Sequence, residues 1–232
     1  MFIKICANTN PEDALTAAQL GADAVGFVFA PSKRRVSGEQ VAEMVARLPD
    51  CLETVGVFAT SDPKEIEHLM TCTGLKAAQL HGAFDRELVR LLWDEGGGDL
   101  RLVQAVAYAV DAAERTMADA QFVAALQAVF DEPRVWAVLL DAAKAGVSGG
   151  LGVAFDWKHV GSLVEAAIGG RMPRPRVILA GGLRPENVGD AIAALRPWGV
   201  DVASGVEMSP GKKDWEKMRA FIANARAAAR AL

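Results

Sequence analysis

One form recurs along this chain: a short apolar run, a polar turn, then a helical stretch. Eight runs carry it: "FIKICA", "AVGFVF", "TVGVFA", "AAQLHG", "LVQAVA", "WAVLLDA", "VILAGGL" and "VDVASGVE". Most are near-continuously apolar instead of alternating. Strands covered on both faces read this way, and parallel pairing follows. The stretches between them carry helix punctuation. "PEDALTAAQLG" has Pro11 in its first turn and Gly21 past its end, the usual asymmetry of helix ends. Ser37 with Gln40, and Asp62 with Glu65, have the spacing of a capping box. The segment Asp111 to Phe130 reads as one longer or broken helix.

Eight strand–helix units in 232 residues come to about 29 residues each, the scale of a barrel of about 250 residues. The expected architecture is therefore a single-domain α/β chain, a (β/α)8 TIM barrel over residues 1–232. A doubly wound open sheet has fewer strands and a G-x-G-x-x-G turn after its first, whereas the first run here ends in "CANTN". "DEGGGD" at 94–99 reads as a surface turn, and no linker divides the chain.

Composition excludes several classes. The chain is 51% apolar and 23% charged, enough for a large core and unlike a disordered chain. Net charge is −4 and the longest basic run is Lys33-Arg34-Arg35, so no nucleic-acid partner is expected. No membrane span or signal peptide is legible. Cys6, Cys51 and Cys72 are an odd number without close spacing. They form no disulfide framework or zinc motif, and a reduced, cytoplasmic protein is expected. Cys51 and Cys72 read as packing, and His68 and His159 as outer-ring residues.

In such a barrel the chemistry sits where strands end. Run one ends in Cys6, run two leads into "APSKRRVS", run four ends in His81, and run six ends in Asp141 before "AAKAGVSGGLGVAFDW". Runs three and five end in nothing titratable. Runs seven and eight end in Gly181-Gly182 and Ser204-Gly205. Glycines there let backbone amides approach a ligand, and the loops after strands seven and eight are the common phosphate site of this fold. Taken singly, Cys6 suits packing as well as catalysis, Asp141 suits a cap or a solvated loop, and the glycines suit a turn before Pro185.

The motifs together resemble the phosphoribosylanthranilate isomerases of tryptophan biosynthesis. "KIC" with "NPEDA", "GADAVGFVF" with "SKRRVS", "VGVF", "QLHG", "LLD" with a glycine-rich loop and "FDW", "LAGGLRPENV", and "VDVASGVE" with "PGKKD" fall in family order over essentially the whole length. The resemblance implies an Amadori rearrangement of N-(5′-phosphoribosyl)anthranilate without metal or organic cofactor. It assigns the base to Cys6 and the acid to Asp141. It gives Arg34 the anthranilate carboxylate, with Lys33 and Arg35 as neighbours open to the same role. It places phosphate at Gly181, Gly182, Ser204 and Gly205, and a substrate loop at Gly149, Gly150 and Gly152. His81 reads equally as a substrate-orienting or a structural histidine. The expected partner is a small phosphorylated substrate, and family members are monomers or homodimers.

The chemistry asks for tuned protonation. A free thiol has a pKa of about 8.5 and must be partly thiolate to act as a base. An aspartate, ordinarily near 3.9, must carry a proton to act as an acid, and burial favours that form. Two positions depart from the family pattern: Ala7 follows the cysteine where glycine is usual, and Leu151 stands where the loop usually has a small hydroxyl residue. Two other readings share the phosphate signature, a different phosphosugar-converting barrel enzyme and a non-catalytic paralogue that binds a phosphorylated metabolite. Neither requires both Cys6 and Asp141.

Overall fold

Each apolar run becomes a barrel strand in the computed structural model of the protein, which describes residues 1–109, 114–144, 147–148 and 156–232. The strands are β1 (Phe2–Ile5), β2 (Ala24–Val28), β3 (Glu53–Phe58), β4 (Ala77–Leu80), β5 (Arg101–Ala109), β6 (Val135–Lys144), β7 (Val177–Leu179) and β8 (Gly199–Val202). All neighbours pair parallel in sequence order, and β8 pairs β1 over Phe2–Ile5 and Gly199–Val202, which closes the barrel. The helices α1 (Pro11–Gln19), α2 (Gly38–Val45), α3 (Pro63–Thr73), α4 (Arg86–Glu95), α5 (Arg115–Phe130), α6 (Trp157–Ile168), α7 (Val188–Leu195) and α8 (Trp215–Arg230) follow the strands in turn.

Local signals set the helix starts. Asn10 caps α1 by accepting from the Asp13 amide, with Pro11 in the first turn. Ser37 and Gln40 form the reciprocal capping box at α2. Asp62 caps α3 through the Lys64 amide.

The strands alternate between two apolar layers. Ile3, Ile5, Val25, Phe27, Leu102, Leu140, Leu179 and Val200 face the helices and form the main core with them. Inside the barrel, Val103, Ala137, Leu139, Ile178 and Ala180 make one cluster, and Ala24, Val55 and Ala77 another, with Phe2 packed against both. The interior is thus a filled core, not a channel.

Two expectations need correction. Run eight is not one strand: β8 stops at Val202, Ser204–Val206 make a 3-10 turn, and Glu207–Ser209 pair antiparallel with Lys212–Lys213 in a small hairpin. Gly205 lies in the 3-10 turn that interrupts the run, and Gly211 at φ 82 lies in the turn of the hairpin. Of the Asp111–Phe130 segment, Arg115–Phe130 forms one long helix, and residues 110–113 lie outside the described chain. Cys51 and Cys72 are exposed rather than packed, Cys51 in the turn before β3 and Cys72 on α3 away from its buried residues Ile66, Met70 and Thr73.

Candidate active site

At the C-terminal ends of the strands lies a cavity of about 330 Å³. Cys6, Arg34, His81, Asp141, Gly181, Gly182, Ser204 and Gly205 all line it. Gly149, Gly150 and Gly152, like Leu151, lie outside the described residues. Among those described, no group of three or more His, Cys, Asp or Glu side chains is placed to hold a metal ion.

Strand phase puts Cys6 here. Ile3 and Ile5 face the helices, so Phe2, Lys4 and Cys6 face inward. Space for the sulfur comes from β2, where a Cβ on Gly26 would stand 2.7 Å from it. The chain then turns at Ala7, whose φ of 62° lies in the left-handed region that favours glycine. Buried Asn8 pins the turn, donating to the carbonyls of Ile5 (2.8 Å) and Gly26 (3.3 Å). Burial pushes the Cys6 thiol up; the Lys4 ammonium pulls it down, Asp201 adds to the rise, and Lys213 opposes it.

Asp141 lies at an inward position of β6, two residues after Leu139, and is buried. His81 Nε2 lies 3.8 Å from its Oδ2. Burial, with the nearby Lys4 charge, lowers the His81 pKa below its ordinary 6.5. The group beside Asp141 is therefore a neutral imidazole at pH 7.

Gly181 and Gly182 follow β7 at the cavity. They have φ of 81° and 67°, a conformation that glycine adopts without strain. Among the described residues, neither amide donates to a backbone or side-chain acceptor. At Gly205 a Cβ would lie 1.9 Å from the Leu183 carbonyl oxygen, so only glycine lets the 3-10 turn after β8 lie against the β7 loop.

Sequence reasoning missed the groups that hold these residues in place. Arg34 is gripped by Glu207, its Nε at 2.8 and 3.1 Å from the two carboxylate oxygens and its Nη2 at 2.7 Å from Oε2. Two of its donor groups are thus engaged by the hairpin, and Nη1 is left for another ligand. Glu207 is held in turn by the Gly211 amide and by Lys213. Lys213 is fully buried and donates to the carbonyls of Cys6 (2.6 Å) and Ala203 (3.1 Å). It ties the end of β1 to the end of β8 beneath the cavity. Burial works against the Glu207 charge, but the Arg34 bonds and the Lys213 charge outweigh it and hold the carboxyl below its ordinary 4.5. Lys4 is a further missed residue. The signal for it was a lysine within an apolar run at the inward phase of β1. Asp201 in "VDVAS" and Gln79 in "AAQLHG" carry the same mark.

The family model described as N-(5′-phosphoribosyl)anthranilate (PRA) isomerase matches residues 3–224. The chain belongs to this family. The N-(5′-phosphoribosyl)anthranilate isomerase of Desulforudis audaxviator is 41% identical over 227 residues, covering 98% of each chain. Among solved structures, the dimeric isomerase of Thermotoga maritima, crystallised as generated monomers, is 34% identical with a TM-score of 0.77, covering 98% of this chain and 99% of that one. A phosphoribosyl anthranilate isomerase in complex with reduced 1-(o-carboxyphenylamino)-1-deoxyribulose 5-phosphate is 36% identical with a TM-score of 0.76 and the same coverage. The closed barrel agrees with what the strand pattern predicts, and the family with what the motif resemblance implies. Among the described residues no helix is long and apolar enough to cross a membrane.

Proposed function

We infer that this chain isomerises N-(5′-phosphoribosyl)anthranilate to 1-(2-carboxyphenylamino)-1-deoxyribulose 5-phosphate, a step of tryptophan biosynthesis. One observation carries the assignment of roles: a thiol, a carboxyl group, an arginine and a glycine cradle meet in one cavity. The reaction needs all four, because the substrate has a phosphate, a carboxylate and two sites of proton transfer.

The Asp141 carboxyl gives its proton to the furanose ring oxygen. The C1′–O bond breaks, and the anthranilate nitrogen lone pair forms C1′=N. The Cys6 thiolate then removes the C2′ proton. The electrons of that bond form C1′=C2′, and those of C1′=N return to nitrogen, giving an enolamine. Transfer of the enol proton to C1′ leaves a ketone at C2′. Carbon 2′ is oxidised and carbon 1′ reduced within one molecule, which makes this an intramolecular oxidoreductase-type isomerisation. Arg34, held by Glu207, offers its remaining N–H donors to the anthranilate carboxylate, a charge-assisted contact. The Gly181 and Gly182 amides, with the Ser204-Gly205 turn, receive the phosphate. His81, neutral beside Asp141, orients the sugar. Three free cysteines, two of them exposed, suit a reducing compartment such as the cytoplasm.

The test is turnover of freshly prepared phosphoribosylanthranilate, followed as loss of anthranilate-type fluorescence. Cys6→Ser and Asp141→Asn are each expected to lower kcat by about 10³-fold, within the range of general acid–base contributions, while the fold is retained. Near-normal turnover in either variant places that proton transfer on another group.

A further inference from the structure

The Cys6 sulfur shares its corner of the barrel with a buried cation. Lys4 precedes it by one inward position on β1 and is 2% exposed. A Cβ placed on Gly26 would stand 2.7 Å from the Cys6 sulfur and 3.2 Å from Lys4 Nζ, so both atoms crowd one point of the wall. Lys4 is aimed there from two sides. Asp201 Oδ1 on β8 accepts from Nζ at 2.9 Å, and Gln79 Oε1 on β4 accepts at 3.0 Å. Burying a lysine and an aspartate together does not of itself stabilise a fold, since a well-packed apolar pair of the same volume does as well or better. The ammonium has a further neighbour that an apolar pair could not serve, the thiol.

We propose that Lys4 is a positioning residue whose ammonium, fixed by Asp201 and Gln79, favours ionisation of the Cys6 sulfur and directs the thiolate into the cavity. This rests on the reading of Cys6 as the base. Burial works against a charge on Lys4, but Asp201 and the Cys6 sulfur outweigh it and keep the ammonium charged throughout the working range. The same ammonium opposes the rise that burial imposes on the thiol. The other charged or titratable groups around that corner are Asp201 from β8, Lys213 from the hairpin and Arg34 from the loop after β2. His81 at the end of β4 also feels the Lys4 and Asp201 charges, and Asp141 lies beyond it, 3.8 Å from its Nε2.

A protonation readout separates this role from a structural one. In a Cys51→Ser/Cys72→Ser background, the rate of Cys6 alkylation by iodoacetamide against pH reports the thiolate fraction, since the thiolate is the reactive form. Lys4→Gln is expected to move the midpoint upward by at least one pH unit, slowing alkylation about tenfold at a fixed pH below the midpoint. Lys4→Arg keeps a cation and returns the midpoint toward the parent. Asp201→Asn removes a repelling anion and moves it downward. Lys4→Gln strands the Asp201 carboxylate and can fail to fold. The double variant Lys4→Gln/Asp201→Asn, compared with Asp201→Asn alone, isolates the ammonium without a stranded charge, and the same upward move is expected there. A midpoint unchanged by loss of Lys4 in the folded comparison overturns the proposal, even where turnover falls. Failure of the base reading looks different: Cys6→Ser would then turn over normally, while the alkylation midpoint would still report on Lys4.

Discussion

At the N-terminal end of the barrel, three aromatic rings close the interior. Phe2 stacks on Trp198 at 4.7 Å between centroids, Trp136 meets Trp198 edge-on at 5.2 Å, and Phe2 meets Trp136 edge-on at 5.9 Å. Arg101 and Arg176 lie over the Trp136 ring, 5.6 and 5.1 Å from its centroid. A Cβ on Gly199 would come within 2.9 Å of the Phe2 carbonyl oxygen, so β8 begins with the residue that lets Phe2 sit so close. At the opposite end the same inward positions hold Lys4, Gln79, Asp141 and Asp201, all buried. One end gains stability from apolar area and ring geometry. The other pays desolvation to keep charges and donors around a cavity. Strand β1 and the residue after it span both, with Phe2 in one regime and Cys6 in the other, so stability and chemistry are separated along only a few residues.

That separation can be attacked from either end. Trp136→Ala is expected to destabilise by about 3 kcal/mol, read as a lower denaturation midpoint, with kcat in the folded enzyme unchanged. A matching fall in kcat would mean the two ends are coupled. Glu207→Gln strips Arg34 and Lys213 of their shared anion and is expected to cost about 2 kcal/mol, with a raised KM because Arg34 loses its support. The variant also carries a pH signature. The Glu207 carboxyl sits below 4.5 in the fold, so its stabilisation is present above that pH and is lost as pH falls through the folded value. Denaturation midpoints measured downward from pH 4.5 should fall more steeply in the parent than in the variant. Gly205→Ala pushes the turn away from the Leu183 carbonyl and is expected to raise KM about tenfold, near 1.4 kcal/mol. A saturation curve and competition by inorganic phosphate check it. Ala7→Gly relieves a left-handed alanine and should stabilise by about 1 kcal/mol or less, the strain removed being partly offset by the freer unfolded chain. An unchanged or lowered denaturation midpoint would show that the turn after Cys6 carries no strain.

The barrel was legible because each run is apolar on both phases, and because helix starts such as Ser37 and Pro11 carry their own local chemistry. Cys6, Asp141 and the paired glycines were legible because strand ends have fixed positions in a barrel. The supports were harder to read. Glu207 reaches Arg34 across 173 residues and Lys213 reaches Cys6 across 207, and no local pattern encodes such contacts. The first strand of the hairpin, with Glu207, was hidden at the end of a run that looked like plain strand. Lys4, Gln79 and Asp201 did leave a local trace, a polar residue at the inward phase of an apolar strand, and that trace marks interior networks in chains of this kind.

Closure of the barrel joins its first strand to its last. Lys4 finds Asp201 197 positions away, and Cys6 is tied from behind by a lysine further on still. During synthesis the N-terminal third can emerge and begin to pack, yet the thiol then has neither its buried surroundings nor its full set of charged neighbours. The Cys6 thiol acquires these surroundings only when the eighth strand docks and the hairpin folds over. Catalytic competence in this chain is therefore a late event, and turnover reports completion of the ring more strictly than helical content or bulk compactness.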